Sequence, residues 1–144
     1  MDTVHFFTED SDFELPEESI TLEWIHHILT AHEQEAENIN FIFCSDAYLL
    51  DINRTYLDHD YLTDIITFDN AEYEDDPLES DIFISVDRVK DNATDLDIPF
   101  IKELHRVIAH GLLHLLGWND KTDEQKVAMR QKEEACLSLH PNYR

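Results

Sequence analysis

Two hydrophobic rhythms alternate along the chain. Ile20, Trp24, Ile25, Ile28 and Leu29 recur three and four apart, which predicts an amphipathic helix within 15–36, with acids in its first turn. A second helix is expected over 47–57, capped by Ser45 or Asp46. The stretch PFIKELHRVIAHGLLHLLG (99–117) reads as a long helix, with Pro99 near its first turn and Gly117 past its end. A final helix starts at a Thr122 cap and places Val127, Met129 or Arg130, Glu134 and Leu137 along one line. The short runs at 3–7, 38–45, 63–69 and 81–87 are rich in β-branched and aromatic residues and predict strands. Between the last two, residues 70–80 carry five acids and a proline, the composition of a solvated connection. The order is mixed, so the expected fold class is α+β: a mixed four-stranded sheet with about four to five helices packed on it.

Length changes this picture little. The 144 residues suit one domain, 1–144, with a core that needs no staples. No run approaches the ~18 apolar residues of a membrane span. The start lacks the basic and apolar segments of a signal peptide, so a cytoplasmic location is expected. Cys44 and Cys136 are far apart and are expected to be reduced and packed.

Charge changes it more. The net charge is −23, and residues 1–87 hold 24 acids against the single base Arg54, while residues 88–144 hold nine of each sign. Such a distribution excludes tight non-specific binding of RNA or DNA.

The chemistry lies in HGLLHLLGWND (110–120). On a helix, residues four apart differ by about 40° in direction and about 6 Å in rise, so His110 and His114 point the same way and can share an ion. Gly117 suits the left-handed position that ends a helix, and Asp120 follows three residues later, within reach of the same ion. Two histidines and a carboxylate form a normal zinc set with a fourth position open. The spacing is that of the metzincin proteases, except that Gly111 stands where those enzymes carry their catalytic glutamate and Asp120 stands in place of a histidine. Glycine at 111 suggests that a neighbouring backbone approaches closely. The competing reading is a pair of core histidines satisfied by carbonyls. The other histidines (His5, His26, His27, His32, His59, His105, His140) show no ligand pattern, and the adjacent His26 and His27, which cannot share a helix face, read as surface or partly buried.

These residues resemble the YbeY family of rRNA maturation factors, whose HGxLHLxGxDH motif is matched from His110 through Gly117. The segments DINRTYLDHDYLTDIITFD, SDIFIS and MRQKEE are similar to further stretches of that family, in the same order. The resemblance implies a zincin-like metal helix and a zinc-dependent endoribonuclease acting in 16S rRNA 3′-end maturation and ribosome quality control. It implies that His110 and His114 bind one Zn2+, with Asp120 at the third ligand position and Asn119 behind it. Leu57 departs from the family, which usually has an arginine there for an RNA phosphate; Arg54, one turn earlier, is a replacement only if it faces the same cleft. Asp64 and Asp69, at the ends of the 63–69 strand, are candidate bases if that strand borders the metal. Lys102 with Arg106, and Lys126 with Arg130, form small basic ridges or solvated helix faces. The implied partners are rRNA and the small ribosomal subunit, reached through a basic ribosomal protein, with no DNA or membrane. Two other classes fit less of the pattern: a non-catalytic assembly factor with a structural zinc, and a metallopeptidase, which Gly111 argues against.

Overall fold

A computed structural model describes residues 3–73 and 76–143. Four strands, β1 (Val4–Glu9), β2 (Ala36–Cys44), β3 (Ile65–Asp69) and β4 (Leu78–Ser85), form one sheet in the order β1-β2-β4-β3. β1, β2 and β4 run parallel, and β3 is an antiparallel edge whose Ile65 lies opposite Ile84. Five helices complete the fold: α1 (Glu18–Ala31), α2 (Asp46–Leu57), α3 (Val86–Leu96), α4 (Phe100–Leu115) and α5 (Asp123–Ser138). The α+β class and the mixed four-stranded sheet agree with the sequence reading. Residues 74 and 75 of the expected 70–80 connection lie outside the described residues.

Strand alternation divides the sheet's side chains between two cores. Ile39, Phe41 and Phe43 of β2 and Ile82 and Ile84 of β4 enter the main core with Trp24 and Ile28 of α1 and Leu104, Ile108 and Leu112 of α4. The opposite face carries a small core of Cys44, Leu49 and Ile66, against which Phe68, Phe83 and Tyr48 pack. α2 covers that second face. Both cysteines are free and buried as expected, and burial pushes the Cys44 thiol up to about 12 and the Cys136 thiol up to about 11.

Two elements differ from expectation. The sequence reading assigns no element to 88–98 and ends a strand at Asp87, whereas β4 stops at Ser85 and VDRVKDNATDL forms α3. Its only buried side chains, Val86, Val89 and Ala93, fall three and four apart, and Ser85 Oγ caps the start by accepting from Arg88 N. One apolar residue per turn suffices because α3 only rims the core. In α5 the expected stripe was rotated. Val127 and Glu134 face solvent, whereas Met129, Glu133, Cys136 and Leu137 are buried. Placing an acid on the buried face required a polar partner that the sequence pattern does not display.

Candidate metal centre

α4 is a Leu-rich helix whose cap turns the chain back on itself. Gly117 adopts φ +99°, its N–H donates to His114 O at 3.0 Å, and Trp118 N–H donates to Leu113 O at 3.0 Å. This paired closure is the Schellman arrangement, and only glycine adopts its left-handed residue without steric cost. A capping box at Thr122 and Gln125 then starts α5. Asp120 sits between the two caps, so local hydrogen bonding fixes where its carboxylate falls.

Those caps bring three donor atoms together. His110 Nε2 and His114 Nε2 lie 3.0 Å apart, and Asp120 oxygens lie 3.4 Å from the first and 3.5 Å from the second. A tetrahedral ion with bonds of about 2.1 Å separates its ligand atoms by about 3.4 Å. One donor atom from each residue lies within 4.8 Å of the others, close enough to share one small ion, and among the described residues this is the group able to hold a metal. The donors stay partly exposed, with side chains 19%, 31% and 36% accessible, so an exchangeable position remains open.

Behind the triangle stands a buried ionic chain. His110 Nδ1 is 2.5 Å from Glu133 Oε2, and since a carboxylate only accepts, the ring donates there and keeps Nε2 for a metal. Arg106 donates to both Glu103 oxygens and, at 3.0 Å, to Glu133 Oε1. Burial works to raise the Glu133 carboxyl, but the His110 N–H and the Arg106 guanidinium outweigh it and hold it below the ordinary value. Arg106 is thus not part of a surface ridge with Lys102. It is a structural cation between two buried acids, whereas Lys126 and Arg130 are exposed as expected. The role of Glu133 was missed in the sequence, although its place on the stripe with Met129 and Cys136 was the available signal.

The donors open onto a cleft of about 680 Å³ walled by β3 and by the 57–64 segment. Asp64 and Asp69 both line it, so the 63–69 strand does border the donors. Asp64 is half-buried and accepts from Asn92 Nδ2 at 3.2 Å; burial raises its carboxyl, against the opposing pull of Arg106 and His110. Asp69 is exposed at the margin. Arg54 is not brought to the cleft. It pairs with Asp60 on the outside, and the lining position falls to Leu57. Lys121 is the single Lys or Arg side chain lining the cleft.

The absent glutamate has a packing explanation. A Cβ at Gly111 would stand 2.7 Å from Ile65 Cδ1 and 3.3 Å from Ile82 Cγ2. The close approach is therefore by sheet side chains and not by backbone as the sequence suggested. Two further histidines, His105 and His140, are fully buried beside Trp24, with ring centroids 4.3 Å apart.

Two histidines and one carboxylate gathered at the end of a helix beside an edge strand, with an open cleft before them, have the make-up of a single-metal site. The model of the endoribonuclease YbeY family matches residues 5–140. The Endoribonuclease YbeY of Cytophaga hutchinsonii is 51% identical over 138 residues, 96% of each chain, and that of Amoebophilus asiaticus is 47% identical over 130 residues, 90% of this chain and 88% of the other. This chain belongs to the YbeY family. The solution structure of TM1509 from Thermotoga maritima shares the fold, with a TM-score of 0.67 at 23% identity, covering 94% of this chain and 87% of that one.

Proposed function

We propose that this protein cuts RNA internally during ribosomal RNA processing, using one zinc ion held by His110, His114 and Asp120. A metal-dependent endoribonuclease of rRNA processing is the class its family defines. The observation that carries the finer reading is the donor group: one ligand atom from each of His110, His114 and Asp120 lies within 4.8 Å of the others, and two histidines with a carboxylate suit zinc.

When bound, the ion supplies Lewis acidity toward a phosphate oxygen and the attacking hydroxyl. Glu133 holds the His110 ring in the tautomer that presents Nε2. Asp64 faces the same cleft and is the carboxylate placed to take a proton from the attacking hydroxyl. Asn92 holds that carboxylate in orientation. Asp120 adds a negative charge where a histidine would be neutral, which makes the ion a milder Lewis acid. Gly111 stands where zinc peptidases carry their helix glutamate, and a side chain there would press on Ile65 and Ile82.

The remaining features support a partner. Residues 1–87 carry nearly all of the excess negative charge, and this surface suits a basic ribosomal protein on the small subunit. We read residues 1–144 as one domain working in the cytoplasm, and no helix among the described residues is long and apolar enough to cross a membrane.

Mass spectrometry of protein purified without added metal tests the ligand set. Near-stoichiometric zinc, lost in Asp120→Ala and His114→Ala, supports it, and equal metal in both variants overturns it. RNA cleavage that survives His114→Ala overturns the metal mechanism.

A further inference from the structure

Four of the large hydrophobic residues exposed among the described residues crowd into one segment: Tyr56, Leu57, Tyr61 and Leu62 are 70%, 39%, 56% and 47% accessible. Two of them, Leu57 and Tyr61, line the cleft together with His59. The segment thus sets an apolar and aromatic wall beside the donors.

The wall is built and does not simply hang in solvent. Asn53 is buried, its Nδ2 donates to Tyr61 O at 2.9 Å, and its own carbonyl accepts from His59 N–H at 3.1 Å. Asp58 takes a left-handed conformation (φ 54°) to turn the chain out of α2. The Arg54–Asp60 ion pair ties the turn back to the helix. As a result the His59 and Tyr61 rings are held nearly parallel, 22° apart with centroids at 5.1 Å, and Tyr61 Oη lies 3.0 Å from His59 Nδ1. Two solvent-facing rings fixed in register bury little surface, so folding alone gives no reason for the arrangement.

We propose that the His59–Tyr61 pair is a stacking platform for an unpaired base of the RNA, which it positions beside His110, His114 and Asp120. The inference rests on the endoribonuclease reading and adds how substrate is gripped. With a dication bound, the carboxylates of Asp64, Asp69 and Asp120 offset both the ion and Lys121, so the cleft has no excess positive charge with which to grip the phosphate chain. Stacking needs no positive charge and tolerates any base, and it is worth about 1–3 kcal/mol per base. Duplex RNA keeps its bases stacked on one another and offers none to the platform. The chain thereby selects single-stranded segments and binds them with a shallow dependence on salt.

The test is equilibrium binding of a single-stranded RNA hexanucleotide with 2′-O-methyl sugars, which resist cleavage, to the full-length zinc-loaded protein. Expected results are a loss of about 5- to 100-fold for Tyr61→Ala and a similar loss when the oligonucleotide carries abasic positions. Tyr61→Phe, which keeps the ring and removes the hydroxyl, should stay within about twofold of the native protein. Equal binding of intact and abasic strands, or native affinity in a folded Tyr61→Ala protein, overturns the platform. So does preference for a blunt duplex, or a self-association that Tyr61→Ala abolishes while RNA binding is unchanged. A parallel cleavage assay separates the two readings. Base-dependent binding without any cleavage upholds the platform and sinks the nuclease, whereas cleavage that is indifferent to Tyr61 does the reverse.

Discussion

Glu133 shows how one side chain can govern a site that it does not enter. Its contact with His110 fixes which ring nitrogen is bare, and its charge is compensated by Arg106. Glu133→Gln keeps an acceptor but removes the charge, so metal affinity should fall about 10- to 100-fold, measured by competition with a chromophoric chelator. His110→Ala should bind no metal in the same titration. At this scale the sequence disclosed His110, His114 and Asp120 because helix geometry and a glycine turn act over only ten residues. It disclosed Asp64 and Asp69 as strand ends next to that helix. Glu133 was hidden among 33 acids, and Arg106 among helix-surface bases, since both depend on how α5 packs against α4.

Between elements, the decisive contacts are the turn after α4 and the ionic seam between α4 and α5. Gly117→Ala forces a side chain into the left-handed region at a cost of about 1–2 kcal/mol. Because the same turn delivers Asp120, metal affinity should fall along with stability, as urea unfolding of the apo and metal-loaded proteins would show. Arg106→Ala strands Glu103 and Glu133, whose side chains are 0% and 3% accessible. A loss of about 3–5 kcal/mol is expected by chemical denaturation, because an uncompensated buried charge costs more than the pair gains. Periodicity revealed four helices and four strands, since each has a strong apolar rhythm or a marked cap. It did not reveal α3, whose helix is specified by Ser85 and three small contacts, nor the face of α5, whose burial is partly ionic.

At the scale of the whole molecule, pH acts through buried titratable groups. Burial, reinforced by its neighbour His140, pushes His105 down to about 4 from an ordinary 6.5. The folded state therefore holds the ring neutral and the unfolded state takes up a proton first. Stability from this group is complete above about pH 6.5 and declines as pH falls toward 4, by up to about 3 kcal/mol. Glu133, held below its ordinary value, acts in the same direction at still lower pH. Thermal melting across pH 4–7 should show the decline, and His105→Gln should flatten its upper part.

The link from His110 to Glu133 also carries a consequence for biosynthesis. All three proposed metal donors are translated by residue 120, but the carboxylate that orients the first of them arrives thirteen residues later, on α5. A nascent or truncated chain that ends before α5 possesses every ligand and lacks the part that aligns them. Its affinity for the ion should be poor until synthesis is complete.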